Sequence, residues 1–327
     1  MSAHSRGNVE ILNDLRAGSE ARVLPGFGFN CYRFQAVIDE KPYEILHSEP
    51  GFEDGQGKPS HNGVPVLFPF PNRIRQGRFT FAGKNYTLPA GDPLGNAIHG
   101  FVIDRPWRVS GRGDLDGGAQ WVEGTFHAGA DAPELLRLWP ADFRISLRYT
   151  LRGNELACRI RIDNPDDKPL PFGFGTHPYF RLPLTEAGDE GRCRVYAPAS
   201  AQWVLEDFLP TGEVRPVPDA KDLRDGRRLS ELRLDDVFSE LTFQNNRVTC
   251  RLVDEVARVE VVQEFDRFFR ELVIYNPPHR RSISLEPYTC TTDAINLHSR
   301  GVDAGLRVLQ PGEEATGEIV LRASAIA

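Results

Sequence analysis

The sequence contains a single methionine, the initiator, and nowhere approaches the roughly 18 consecutive apolar residues of a membrane helix. It also lacks a basic block. With 39 Lys and Arg against 46 Asp and Glu, the net charge is -7. That balance opposes the phosphate neutralisation that drives nonspecific nucleic-acid binding. Residues 1–20 contain no apolar h-region, so no secretory signal is read there and a cytoplasmic location is expected.

Cysteine is sparse and scattered. Cys31, Cys158, Cys193, Cys250 and Cys290 are odd in number and form no CxxC pair. Neither a zinc cluster nor a disulfide framework is announced, and reduced, mostly buried thiols are expected. The motifs G-x-G-x-x-G, P-loop and G-x-S-x-G are missing, which removes the usual signatures of dinucleotide, nucleotide and serine-hydrolase sites. The eight histidines never pair at i+2, unlike those of cupin-type metal sites.

What the chain does have is Gly (30), Pro (25) and Phe (20). Gly and Pro together make about 17% of the residues, against roughly 12% ordinarily. Because both residues weaken helix interiors, this disfavours a bundle or coiled coil. Hydrophobic residues are 40% and aromatics 10%, enough for a large core.

Alternation of apolar and polar residues dominates. From Phe143 to Leu151 every second residue is apolar, and after the turn Arg152–Glu155 the pattern resumes at Leu156, Cys158, Ile160 and Ile162. This predicts a β-hairpin with one wet face. Similar pairs are read around Ala82–Asn85, Asp114–Gly118 and Asp254–Glu255, and the tail Ala315–Ala323 alternates again. Only Pro133–Trp139 reads as helical. No repeat or linker divides residues 1–327, and Thr185–Arg233 reads as a polar excursion at the rim. The expected fold is all-β: one large antiparallel two-sheet β-sandwich with few short helices.

Four segments break the strand rhythm and place polar residues beside Gly and Pro. Gly63–Ile74 is Pro-dense and ends in Asn72-Arg73. Read locally, that pair fits a surface arginine beside an Asn turn as well as a polar pair facing hydroxyls. His99 precedes Gly100, which lets the backbone bend sharply, although a lone histidine is more often structural. In Pro171–Phe180, two glycines and two aromatics precede His177, and Pro178 holds it extended. Glu286 ends an apolar strand before Pro287, and a carboxylate in such a place is either paired or poised for chemistry.

In order, PVLFPFPNRI, IHGF, FGFGTHPYF and LEPYTCTTDAIN, with Leu234–Phe238 between the last two, resemble the aldose 1-epimerase (galactose mutarotase) family. The resemblance runs from about residue 63 to 297. It implies that family's large β-sandwich with a sugar cleft and a free aldohexose as the small-molecule partner. Neither metal nor other cofactor is implied, and the chain would act as a monomer or homodimer without nucleic acid or membrane. It makes Glu286 the general base and His177 the general acid. Arg73, Asn72, His99 and Asp235 become sugar-binding residues, the doublet Asp235-Asp236 leaving the cleft residue open by one. Phe70, Phe174 and Tyr179 are candidates to stack on a sugar, with core packing the alternative. The sequence departs from some family members at Tyr288-Thr289-Cys290 and at the Thr185–Arg233 excursion, where sugar preference is open. Two other readings stand beside this one: a hexose 6-phosphate epimerase, which needs an added basic cluster, and a non-catalytic sugar binder, which needs no acid–base pair.

Overall fold

The computed structural model describes residues 9–326. Alternation becomes strand as expected. Residues Arg144–Arg152 and Glu155–Asp163 form a hairpin in which Ile145, Leu147, Tyr149 and Leu151 point inward and their neighbours outward. The other three expected hairpins form at Arg78–Phe81/Lys84–Thr87, Arg108–Asp114/Gln120–His127 and Arg247–Asp254/Val259–Asp266. Strand Glu314–Ala325 is inserted between Glu155–Asp163 and Val259–Asp266, completing the centre of a nine-stranded antiparallel sheet.

A second, eight-stranded sheet faces it, and a four-stranded sheet is built from residues 10–44. The main core joins Val122, Ile145 and Leu147 of the nine-stranded sheet to Phe238, Leu272, Ile274, Ile283 and Leu285 of the eight-stranded one. This is the expected antiparallel two-sheet sandwich. At roughly 25 cal/mol per Å² of apolar surface, burial of this many large side chains is the main force holding the two sheets together. All five cysteines are buried and free. Among the described residues, no helix is long and apolar enough to cross a membrane.

Two expectations need correction. Pro133–Trp139 is helical only as a short 3-10 helix over Pro133–Arg137, and it is not the sole helical segment: Ala294–Ser299 is a short α-helix. The segment Thr185–Arg233 is less of a loop than its polarity implied. It contributes strand Cys193–Tyr196 to the nine-stranded sheet and the hairpin Ala199–Glu206/Leu209–Pro216 to the edge of the eight-stranded sheet. Cys193–Tyr196 and Ala199–Glu206 bury alternate residues only, so the intervening residues face water and are mostly polar.

Strand Ser282–Tyr288 sets up the site. All seven of its residues are buried, so both faces of the sheet are covered here. Ile283 and Leu285 face the main core, while the period-2 geometry sends Ser284, Glu286 and Tyr288 to the opposite face.

Candidate active site

Register explains how Glu286 meets His177. Gly175 lies opposite Tyr288, and Tyr179 lies opposite Ser284. The residue midway between, His177, therefore falls opposite Glu286. The glycines before it are needed for close approach: a Cβ on Gly175 would sit 2.4 Å from the Tyr288 ring, and one on Gly173 would sit 2.3 Å from Cys290 Sγ.

The two side chains are almost wholly enclosed, with Glu286 1% and His177 7% exposed. His177 Nε2 stands 3.1 Å from Glu286 Oε1. The atoms are at ion-pair distance but misaligned for a hydrogen bond, so Oε1 has no hydrogen-bond partner among the described residues. The other oxygen, Oε2, accepts a 2.5 Å bond from the Tyr288 phenol. On the far side of the imidazole, Ser284 Oγ lies 2.9 Å from Nδ1 and donates to the Pro178 carbonyl at 2.9 Å. A hydroxyl has one proton. Because Ser284 gives its proton to a carbonyl, it accepts from Nδ1–H, and Nε2 is left as the nitrogen that exchanges a proton. Tyr179 stacks on the imidazole with centroids 4.6 Å apart, and its phenol donates to the Ser60 carbonyl.

Burial governs the electrostatics. It pushes the Glu286 carboxyl well above its ordinary value, against the opposing hydrogen bond from Tyr288. It drives His177 well below the ordinary imidazole range, helped by neighbouring His99. Both shifts favour the neutral members of the pair, so one proton shared between the two groups sits most comfortably on Glu286.

The remaining expected residues gather round this pair in a cleft of about 250 Å³ that also includes Ser60, His61 and Tyr275. Arg73 pairs with Ile98 in a two-residue ladder. Its guanidinium is held by Asp92 at 2.9 Å and by the Asn72 amide oxygen at 3.0 Å. Asn72 and His99 both adopt positive φ, 55° and 63°, and Asn72 O accepts from the His99 backbone at 2.8 Å. Gly100 follows at φ 73°, and a Cβ there would lie 2.1 Å from the Phe68 carbonyl oxygen, so the IHG turn requires its glycine. The His99 ring meets the His177 ring edge-on at 5.7 Å. Burial, with Arg73 and His61 adding to it, pushes His99 down to about 3, and its Nδ1 has no partner among the described residues. Of the acidic doublet, Asp235 lines the cleft, open to solvent there, with its carboxyl raised by partial desolvation against the cleft walls. Asp236 binds Lys221 at 2.6 Å.

Tyr179 is the aromatic of the three candidates that reaches the cleft. Phe70 packs on Trp139 and Phe101, and Phe174 packs on Phe268 and Phe269. Ser284 and Tyr288 were not singled out from the sequence, although their spacing of two on either side of Glu286 is a readable signal. His61, Asp92 and Tyr275 carried no such signal. Two roomier concavities, of about 450 and 380 Å³, lie elsewhere. Their linings include arginines already held by carboxylates, such as Arg148 by Glu123, Arg159 by Glu318 and Arg194 by Glu255. Neither brings an unsatisfied acid and base together.

Known proteins and solved structures resemble this chain in sequence and fold. YihR, an uncharacterised protein of Escherichia coli K12, is 24% identical over 298 residues, covering 89% of this chain and 85% of the relative. Galactose mutarotase of Mus musculus is 31% identical over 156 residues, covering 47% of this chain and 42% of that protein. Among solved structures, a galactose mutarotase-like protein of Clostridium acetobutylicum matches with a TM-score of 0.84 at 26% identity, covering 95% of this chain and 94% of that one. The family model for aldose 1-epimerase matches residues 39–322. With that match spanning most of the sheet framework, the chain belongs to the aldose 1-epimerase family.

Proposed function

We propose that this protein interconverts the α and β anomers of a free aldohexose, with Glu286 as general base and His177 as general acid. The observation that carries the reading is the buried Glu286–His177 pair at 3.1 Å within a cleft of hydroxyl-binding groups. In the reactive state Glu286 is ionised and His177 is protonated at Nε2. Glu286 Oε1 takes the proton from the C1 hydroxyl while Nε2–H protonates the ring oxygen. The C1–O5 bond breaks and the aldehyde forms. That step leaves neutral Glu286 and neutral His177, the form that burial favours. Rotation about C1–C2 presents the other carbonyl face. Closure returns both protons in reverse and restores the starting pair.

Arg73, Asn72, His99 and Asp235 act as positioning groups for the hydroxyls while the chain is open. The core cluster, which extends from Leu12 to Ala323, supports one domain acting as a unit. A free sugar is favoured over a sugar phosphate because the arginines of the candidate segments are engaged. Arg73 is held by Asp92 at 2.9 Å, Arg105 by Glu134 at 2.8 Å, and Arg75 lies 3.9 Å from Asp293.

Polarimetry of freshly dissolved α-glucose, α-galactose and glucose 6-phosphate tests this directly. Accelerated approach to equilibrium is expected for a free hexose. It should fall about 10²–10⁴-fold in Glu286→Gln and in His177→Asn. Variants that equilibrate the sugar as fast as wild type sink the assignment. Tight sugar binding without acceleration makes the protein a binder.

A further inference from the structure

The hairpin that edges the eight-stranded sheet turns through two residues, Asp207 and Phe208, between Glu206 and Leu209. Both adopt positive φ, 49° and 65°, as a two-residue type I′ loop demands. Asn and Gly suit such positions, whereas a bulky aromatic is strained there. Phe208 is disfavoured on a second count, since it leaves a large apolar ring 46% exposed. Neither the turn nor the core needs it.

Its location supplies a reason. The Arg73 guanidinium lies over the Phe208 ring, 4.8 Å from the centroid, and Arg73 lines the cleft. The cleft grades outward from Glu286, 1% exposed, to the Arg73 side chain at 18%, and Phe208 lies against Arg73 beyond it. A hexose placed with C1 and O5 against the Glu286–His177 pair directs its C3–C4 end outward, toward Arg73 and Phe208. One face of a pyranose presents C–H groups, and an exposed aromatic ring is the natural surface for it.

We propose that Phe208 is a specificity-determining residue. Together with Arg73 it forms a platform at the mouth of the cleft on which the C–H face of a pyranose ring packs. This rests on the sugar-cleft reading above. The ring it supports is either the hexose in the cleft or a second sugar linked through C4, and the two are separable.

The test compares wild type, Phe208→Asn and Phe208→Tyr with a free hexose and with a C4-linked reducing disaccharide. Asn accepts positive φ, so Phe208→Asn removes the ring while relieving the turn, and its thermal midpoint should equal or exceed that of wild type. KM is expected to rise about three- to tenfold, the scale of one aromatic contact, with kcat within about twofold. Phe208→Tyr should retain the wild-type KM. A rise for both sugars places the platform beneath the ring in the cleft; a rise for the disaccharide alone places it beneath the second ring. Unchanged KM for both sugars, with unchanged or raised stability, overturns the proposal. Calorimetric Kd values for the same sugars, measured on Glu286→Gln with and without Phe208→Asn, read the platform without turnover. A protein that binds sugars through Phe208 but anomerises none would sink the enzymatic reading and leave the platform standing.

Discussion

The Tyr288 phenol donates a 2.5 Å hydrogen bond to Glu286 Oε2, two residues back on the same face of one strand. That bond leaves Oε1 as the oxygen that faces His177. It also stabilises the ionised carboxylate against a burial cost that would otherwise hold the proton in place. Phe in place of Tyr keeps the ring packed beside Gly175 and removes only the donor. Tyr288→Phe should therefore lower kcat about 10- to 100-fold, since a bond to a charged group contributes roughly 1.5–3 kcal/mol. It should also move the alkaline limb of the rate profile to higher pH, because the carboxyl becomes harder to ionise. A loss of rate with an unmoved limb would mean that the phenol only packs.

Ser284 stands on the other side of Glu286 and acts on His177. Its hydroxyl accepts from Nδ1–H and passes its own proton to Pro178 O. Ser284→Ala strands a buried N–H and a buried carbonyl together, costing about 1–3 kcal/mol of stability. The imidazolium loses its acceptor, so protonated His177 becomes scarcer and kcat falls. The signature that separates this from simple destabilisation is a shift of the acid limb to lower pH, measured well below the thermal midpoint of the variant.

The wild-type pH profile follows from the same pair. Burial raises Glu286 and lowers His177. The active form carries one proton in all. As pH falls, a second proton must enter, which requires protonating His177 while Glu286 is neutral; that step lies below the ordinary imidazole value of about 6.5. As pH rises, the last proton leaves Glu286 while His177 is neutral, and that step lies above the ordinary carboxyl value of about 4.5. In the rate above buffer background, the alkaline limb should therefore lie above the range of an ordinary carboxyl, and the acid limb below about pH 6.5. An acid limb centred at or above that value would show a solvent-like imidazole and contradict the enclosed pair.

How far the sequence discloses this site depends on how each residue is held. Glu286 and His177 stand out because their neighbours are unusual. Gly173, Gly175, Pro178 and Pro287 have local backbone reasons to be there, and close packing on Tyr288 and Cys290 explains the glycines. Ser284 and Tyr288 follow from strand periodicity once Glu286 is chosen. His61, Asp92, Tyr275 and Phe208 do not, because turns and sheet order bring them in from distant segments. The 133–137 run is helical as its sequence reads, held to short 3-10 structure between two prolines. The polar composition of 185–233 concealed strands that bury only alternate residues and leave the others to water.

The acidic doublet offers the sharpest contrast between neighbours. Adjacent residues on a strand point to opposite sides. Asp235 lies opposite Tyr275 and lines the cleft, while Asp236 lies opposite Ile274 and binds Lys221 at 2.6 Å. Asp235→Asn should raise KM for the hexose about tenfold, because a charged acceptor for sugar hydroxyls becomes a neutral amide. It should also ease ionisation of Glu286, whose carboxyl the Asp235 charge helps to raise. Asp236→Asn should leave KM within about twofold and cost no more than about 1 kcal/mol, as expected of a partly exposed ion pair. Equal KM values for the two variants, measured by polarimetric progress curves, would show that the Asp235 carboxylate does not hold the sugar.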